Sequence, residues 1–269
     1  MCIRDSLYLS PRVSARWRLT SAITAKVNLG RYFRPPTVVE LFGDRGFIAG
    51  NPLLEPEIGI AGDAGLVAAP AEGFGPVDRV YLEAALFAAT VEDLIAFLPT
   101  AGRFARAGNL SDARLGGVEA AFAARFFRTA TVTGNYTFLE SRQLSEQVAV
   151  DGKRLPGRPM HELYLRLDVA RRLGRSGITA GVFADLNLAS GNYLDEGNLN
   201  EVPGRRFIGA GVRLSPWAGL SLVAEVKNLL DHRVESVGPA GREVPRAVAD
   251  VLDFPLPGRA FYFTLDWSF

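Results

Sequence analysis

The sequence is poor in the residues that build disulfide, metal and redox sites. Its 269 residues include one cysteine, Cys2, so no internal disulfide can form. Only two histidines occur, His161 and His232, and neither lies in a spaced cluster with cysteines or carboxylates. The GxGxxG, Walker A, HExxH and CxxC patterns are missing as well. We therefore expect no enzyme activity, no metal site and no cofactor.

Long apolar runs and an excess of one charge are also missing. No stretch of about 18 apolar residues occurs, so a transmembrane helix is not expected. The formal net charge is +1 and no basic block stands out, which argues against nucleic acid as a partner. Residues 1–6 do not resemble a signal peptide and break the pattern that follows. We expect them to be a non-native or irregular start, followed by a truncated domain over 7–269.

What the sequence has instead is an alternation of apolar and polar residues, repeated along the chain. Because side chains alternate sides in a β-strand, each such segment has one apolar and one polar face. The apolar faces run for about five or six positions, which suits the roughly 9–11 residues that a tilted strand needs to cross a bilayer. Charged residues such as Lys26, Arg166 and Asp266 lie in mid-strand on the polar faces. A water-filled lumen permits this, although a soluble sandwich would show the same alternation.

About eleven strands are predicted by this alternation, and the connections between them alternate in length. The predicted strands are 7–19, 21–33, 56–68, 78–97, 103–125, 129–141, 159–172, 177–190, 204–215, 219–231 and 258–269. One set of connections is mostly long, at 34–55, 142–158, 191–203 and 232–257, with the short 98–102 as its exception. The other set consists of shorter turns such as 173–176. Short periplasmic turns that alternate with longer extracellular loops are typical of outer-membrane barrels, so we expect a periplasmic C-terminus.

Several short motifs occur in an order that resembles the TonB-dependent receptors of the bacterial outer membrane. The resemblance runs from about residue 7 to the last residue and is carried by Arg34-Pro35-Pro36, by Gly50-Asn51-Pro52 with Pro56-Glu57, by Pro156-Gly157-Arg158-Pro159, by Lys227-Asn228-Leu229 and by Pro257-Gly258-Arg259. Arg34-Pro35-Pro36 stands where the family usually has Arg-Ala-Pro. No TonB box and no plug domain is found, so the family's coupling residues have no counterpart here. Proline cannot donate to a β-ladder, so these prolines also mark strand ends.

The resemblance implies an all-β fold, namely an antiparallel transmembrane β-barrel fragment of about eleven strands. Family barrels have about twenty-two strands, so this is half of a larger barrel. It implies uptake of a scarce nutrient, such as a ferric siderophore, haem or cobalamin, driven by the TonB complex through the missing plug. Outer-membrane lipid would be the second partner. The third would be the barrel-assembly machinery, which recognises a C-terminal strand whose outward side chains are mostly aromatic. Here these are Phe261, Phe263, Leu265, Trp267 and Phe269.

Two other functions stay open at this point, a passive porin-like barrel and a soluble all-β binding domain. For a receptor, the ligand is a small molecule or metal chelate, and the polar loop 191–203 is the candidate contact, through Asn192, Tyr193, Asp195, Glu196 and Asn198. Closing eleven strands would join two strands that run in the same direction. We therefore expect an open or poorly closed sheet.

Overall fold

The structure is a computed structural model that describes residues 8–44, 46, 48–99, 105–110, 112–174, 177–233, 235–236, 246–247 and 258–268. The predicted irregular start 1–6, Pro257, Phe269 and most of loop 232–257 lie outside these residues. In the described part of the chain, no helix is long and apolar enough to cross a membrane.

Eleven strands form one antiparallel sheet, in the order in which they occur in the sequence. They are β1 (Arg12–Arg18), β2 (Ile23–Arg34), β3 (Glu57–Ala68), β4 (Val77–Glu92), β5 (Asp112–Phe126), β6 (Ala130–Leu144), β7 (His161–Arg172), β8 (Thr179–Ala189), β9 (Arg205–Ser215), β10 (Leu220–Lys227) and β11 (Ala260–Trp267). Every strand pairs with its sequence neighbour, as in an up-and-down barrel wall. The all-β class and the strand number predicted above are confirmed.

The small elements lie in the connections at one end of this sheet. They are the helix α1 (Val38–Phe42), a sheet of Ile48–Ala49, Ala105–Asn109 and Ile95–Pro99, the pair Asn192–Tyr193 with Glu201–Val202, and the pair Glu235–Ser236 with Arg246–Ala247. We call this the long-loop end. The opposite end, with the connections 19–22, 69–76, 127–129, 173–178 and 216–219, is the short-turn end.

Two predicted strands are interrupted in the structure, and others, such as 7–19 and 219–231, are shorter than predicted at their ends. The segment 78–97 is not one strand, because β4 ends at Glu92 and Asp93 takes a left-handed conformation with φ 55°. Residues Ile95–Pro99 then pair with Ala105–Asn109 instead of with β3 or β5. The segment 103–125 is broken in the same way, since β5 begins at Asp112. The connection between β4 and β5 is therefore long, 93–111, and the short exception at 98–102 was wrong.

The register places apolar side chains on one face of the sheet in every strand. One cross-strand row, for example, runs Val169, Val182, Val212, Ala224 and Phe263. Val182 is 56% exposed and Phe263 83% exposed, so no described part of the chain covers this face. An apolar face of this size needs a non-aqueous surrounding, which lipid supplies.

The opposite face carries charged pairs that cross from strand to strand. Lys26 Nζ lies 3.1 Å from Glu83 Oε1, and Asn28 Nδ2 donates to Asp63 Oδ2 at 2.8 Å. Further along the sheet, Arg166 Nε donates to Asp168 Oδ2 at 2.6 Å within β7, and Arg166 Nη1 lies 4.0 Å from Asp185 Oδ1 on β8. These partly exposed pairs agree with the polar faces predicted from the sequence.

The buried hydrophobic clusters of the described chain lie mainly at the long-loop end, whereas Phe183 in the middle of β8 is buried under the guanidinium of Arg166. One cluster joins Val91, Leu94, Leu110, Ala113 and Leu155. A second cluster joins Leu54, Ile95 and Ala107. The core therefore fastens the loops to the strand ends, while the wall itself relies on strand pairing.

All three tryptophans of the sequence lie at the short-turn end. Trp17 is next to the last residue of β1, Trp217 lies in the turn before β10, and Trp267 ends β11. Each is more than half exposed, at 64%, 61% and 71%. Exposed indoles at one level are typical of a membrane interface.

The sheet is open, as expected. Its edges are β1 and β11, and no pairing between them occurs among the described residues. In lipid, each unpaired backbone group costs several kcal/mol, so these edges need partners.

The register predicts which substitutions the membrane tolerates. Leu165 lies on the apolar face of β7 and pairs with Gly134 of β6. Asn135, the next residue of β6, lies on the polar face. Leu165→Arg should lower the free energy of unfolding by roughly 2–4 kcal/mol in the full-length protein refolded into vesicles, because it places a charge in lipid. Asn135→Arg, which meets water, should cost less than about 1 kcal/mol. Urea titrations that give the reverse order would show the register to be off by one residue.

Candidate functional site

An ion-pair cluster holds the first loop at the long-loop end. Arg34, the last residue of β2, donates through Nη1 to Glu40 Oε1 at 3.0 Å and through Nη2 to Glu57 Oε1 at 2.6 Å. Glu57, the first residue of β3, also accepts from the amide of Ile95 at 2.8 Å. Glu40 and Glu57 are each only 6% exposed. The Arg34 guanidinium thus joins β2, α1 and β3. Glu57 extends this link to the hairpin formed by Ile95–Pro99 and Ala105–Asn109. Arg34 and Glu57 both belong to the motifs that resemble the family.

Glu40 has a second task as part of the N-terminal cap of α1. Its Oε2 accepts from the amide of Thr37 at 2.6 Å, and its own amide donates to Thr37 Oγ1 at 3.3 Å, which is a capping box. Burial by itself would raise the pKa of Glu40. The hydrogen bonds from Thr37 and Arg34 outweigh this and hold the pKa below its usual value.

Two asparagines fasten the same loop to the hairpin. Asn51 donates to the carbonyl of Ala107 at 3.0 Å. Asn109 accepts from the amide of Glu55 at 2.9 Å and donates to the carbonyls of Glu55 and Asp93 at 2.9 and 2.8 Å. Gly50 is required because a Cβ there would lie 2.5 Å from the carbonyl carbon of Phe42. Asn109 was missed by the sequence analysis, since it lies within an apparently continuous strand.

A second structured region joins the loops 142–158 and 191–203. Asn198 accepts from the amide of Arg154 at 2.8 Å and donates to its carbonyl at 2.9 Å. Gln143, which is fully buried, donates to the carbonyl of Glu196 at 3.0 Å. The amide of Gly157 donates to the carbonyl of Tyr193 at 2.7 Å. We call these two loops the paired loops.

The five candidate ligand residues have different environments within the paired loops. Asp195 accepts from the amides of Leu199 and Asn200 at 3.0 and 2.6 Å, so its carboxylate shapes the loop, as does Asn198. Asn192 is 7% exposed. Tyr193 and Glu196 are at intermediate burial, and their side chains form no hydrogen bond or ion pair with the described residues. Burial, and then the neighbouring Asp195, raise the pKa of Glu196.

Several buried polar atoms in the paired loops lack a hydrogen-bond partner within the described chain. They are Gln143 Oε1, Asn192 Oδ1, and Nε and Nη2 of Arg154. An unsatisfied buried group costs about 1–3 kcal/mol, and more if it is charged. These donors and acceptors lie inside the paired loops, where a buried water could bond to them. Gln143, near the end of β6, and Arg154, in the loop that follows, gave no sequence signal, because burial by a loop distant in sequence does not show in alternation.

The remaining motif residues organise strand ends. Asn228, with φ 49°, accepts from the amide of His232 at 2.8 Å, and the amide of Leu229 donates to the carbonyl of Ile208 at 2.8 Å. Asp231 accepts from the amide of Arg259 at 2.9 Å, beside Gly258. The Lys227 ammonium lies 5.0 Å from the centroid of the Tyr262 ring. Pro156 is half-buried, Arg158 is exposed, and Pro159 is buried.

Pro35, Pro36, Pro52 and Pro56 lie outside the sheet strands, between β2 and β3. This position agrees with their predicted role at strand ends. Across the described ranges, no group of three histidine, cysteine or acidic side chains could hold a metal ion.

Comparison with protein-family models gives one match. Residues 4–229 match the model described as "TonB dependent receptor-like, beta-barrel". Among curated proteins, the chain is similar to the iron-regulated outer membrane virulence protein of Vibrio cholerae, at 26% identity over 84% of this chain. The match covers 36% of that relative, so the chain spans about a third of the relative's length.

Solved structures show the same fold. The ferric yersiniabactin uptake receptor FyuA from Yersinia pestis matches with a TM-score of 0.70 and 19% identity, over 96% of this chain and 37% of that one. The copper transporter OprC matches with a TM-score of 0.69 and 20% identity, over 97% of this chain and 39% of that one. At these identities the likeness concerns the fold.

The cluster of Arg34 predicts a loop that loosens in acid. Because the pKa of Glu40 is lowered by folding, its contribution to stability is complete above its ordinary value of 4.5 and is lost as the pH falls below it. Protease cleavage within 35–56 should therefore increase between about pH 5 and pH 3.

Arg34→Gln should produce the loosened loop already at neutral pH. The free energy that holds loop 35–56 in its folded position should fall by about 2 kcal/mol. This is less than for a fully buried ion pair, because the guanidinium is 36% exposed. Arg16→Gln, an exposed arginine on β1, is the control and should leave cleavage unchanged. Equal protection of 35–56 in both variants would show that the cluster does not hold the loop.

Proposed function

The chain belongs to the family of TonB-dependent receptor β-barrels, and from this we propose that it forms part of the wall and the mouth of an outer-membrane receptor that takes up a scarce nutrient. The family consists of transporters and not of enzymes, and its members lie in the outer membrane. We propose a ferric siderophore, haem or cobalamin as the type of nutrient. The names of the relatives, which concern iron and copper, support a metal-containing solute.

The observation that carries this proposal is the structured layer of loops at the long-loop end. A passive pore needs a wall and an opening, and mobile loops suffice for it. Here buried ion pairs, asparagine bridges and two hydrophobic clusters hold the loops in defined positions. Rigid loops with spare polar atoms are what recognition of one solute requires.

We propose that the long-loop end faces the outside of the cell and that the C-terminus of β11 is periplasmic. The alternation of long and short connections supports this orientation. The three exposed tryptophans at the short-turn end then mark the periplasmic membrane interface.

The proposed ligand contacts are the paired loops, with Tyr193 and Glu196 as the side chains that reach the solute. Asn192, Asp195 and Asn198 take part by shaping the loop, as their burial and their bonds to the backbone support. Tyrosine combines a large apolar surface with a hydroxyl, which suits a chelate with aromatic or amide groups.

The proposed partners follow from the family. The TonB complex would act through a plug that the described strands do not contain. The barrel-assembly machinery would recognise β11, whose outward residues Phe261, Phe263, Leu265 and Trp267 are all more than 60% exposed. Lipid would cover the apolar face.

Growth on a single iron or cobalt source tests the function. Cells that lack their other receptors and express the full-length protein should grow with one member of a panel of ferric siderophores, haem and cobalamin. Tyr193→Ala with Glu196→Gln should weaken binding of that solute about tenfold, which is the loss of one or two hydrogen bonds and a ring contact. Arg128→Gln at the short-turn end should bind normally. A protein that reaches the outer membrane and supports growth on none of these solutes would contradict the proposal.

Proteolysis of intact cells tests the orientation. Added protease should cut within 142–158 or 191–203, because these loops would be outside. It should spare 173–174 and 216–219, which become accessible only after lysis. Cleavage at 216–219 in intact cells would reverse the proposed topology.

A further inference from the structure

A row of arginines crosses the apolar face near the long-loop end. The register aligns Arg31, Ile60, Thr90, Arg114 and Arg142 on five neighbouring strands. These positions share the face that carries Val27, Leu86 and Phe138, and not the polar face. Three positive side chains therefore point to the lipid side, at the upper limit of the apolar surface.

The surface directly below the arginine row is shallow and, apart from Glu140, which lines it and pairs with Arg142, it is apolar. The next row towards the middle of the sheet is Leu29, Gly62, Ala88, Gly116 and Glu140, and the row after it is Val27, Ala64, Leu86, Val118 and Phe138. A depression of about 380 Å³ lies here between Arg114, Val118, Phe138 and Arg142. A Cβ at Gly116 would find its nearest neighbour at 3.6 Å, so the trough is open at that point. Its walls offer apolar contact below and guanidinium groups above.

The charges of the arginine row are only partly used within the protein. Arg142 donates through Nε to Glu140 Oε1 at 2.5 Å and through Nη1 to the carbonyl of Gly152 at 3.0 Å. Arg31 donates to the carbonyl of Leu9 at 3.1 Å. Arg114 is exposed and forms no ion pair with the described residues. The carboxylates of Glu92 and Asp112 share this face but lie one row further from the apolar surface, beside Arg114.

We propose that this row and trough bind a phosphorylated glycolipid of the surrounding membrane leaflet. The planar fork of arginine matches the oxygens of a phosphate ester, and Arg114 has its donors free for it. The acyl chains then lie over Val118, Phe138 and Leu86, where the surface is apolar. Adjacent strands are about 4.8 Å apart, so Arg114 and Arg142 can hold one phosphate, and Arg31, three strands from Arg114, can reach a second one. The inference rests on the proposed orientation, which places the row in the outer leaflet.

A lipid-binding measurement on the full-length protein in detergent tests the proposal without using transport. The probe is diphosphoryl lipid A, compared with the same lipid after removal of its phosphates, and bound lipid is counted by native mass spectrometry. The wild type should bind the diphosphoryl form at least tenfold more tightly, since each arginine near a phosphate contributes roughly a few-fold to tenfold. Binding that does not distinguish the two lipids would overturn the proposal.

Matched variants locate the site. Arg114→Gln with Arg142→Gln should lose about tenfold in affinity for the diphosphoryl lipid, whereas Arg16→Gln with Arg18→Gln on the polar face should lose none. Arg114→Lys with Arg142→Lys, which keeps the charge but loses the planar fork, should lose less affinity than the glutamine pair. The site would be overturned if the lysine and glutamine variants of Arg114 and Arg142 lost affinity equally, or if the Arg16 and Arg18 variant lost as much as they do. Displacement of the lipid by millimolar inorganic phosphate would overturn it as well. A heat-dependent gel shift confirms that every variant is folded. A protein that binds the lipid but supports no uptake would contradict the proposed function alone.

Discussion

The obligation to pair every backbone amide and carbonyl inside lipid determines this structure. A strand that crosses a membrane cannot turn to water for its hydrogen bonds, so each one needs a partner on both sides. The nine inner strands of the described sheet meet this requirement by pairing in sequence order, whereas the edge strands β1 and β11 meet it on one side. The pairing in turn fixes the register, and the register decides which residues meet lipid and which meet the lumen. Side-chain chemistry follows from this arrangement, with apolar rows on one face and ion pairs such as Lys26 with Glu83 on the other.

The location of the hydrophobic core follows from the same constraint. A wall one strand thick has no interior of its own, because lipid already covers its apolar face. The fully buried side chains, such as Leu155 and Val202, are therefore found where loops fold over the strand ends. There the polypeptide is in water again and must bury apolar surface against itself. Arg34 lies at this border, and its two buried carboxylate partners belong to the loop and to the next strand.

The sequence predicted the wall better than the mouth, and the reason is physical. A strand exposes one face to lipid along its whole length, so alternation identifies it from local residues alone. The break at Asp93 is invisible to this criterion, because Ile95–Pro99 is an apolar run that would also fit a continued strand, yet it leaves the main sheet. Loop residues depend on contacts distant in sequence. Asp195 and Asn198 look like free ligand contacts in the sequence, but one binds backbone amides of its own loop and the other binds Arg154, 44 residues away. Gln143 is buried by a loop that no local pattern indicates.

The motif residues that resemble the family stabilise the loops and strand ends, and they are different residues from those proposed to contact a solute. Arg34, Glu57, Asn51, Gly157 and Asn228 all bind backbone or buried carboxylates, so they hold loops and strand ends in place. None of these bonds depends on the identity of a solute, and one set of anchors can therefore support loops that bind different solutes. Under the function proposed above, the side chains that choose the solute are those that the anchors present and do not use, which in the paired loops are Tyr193 and Glu196. Specificity in such a receptor can change by substitution at these positions while the anchors, and with them the fold of the mouth, stay the same.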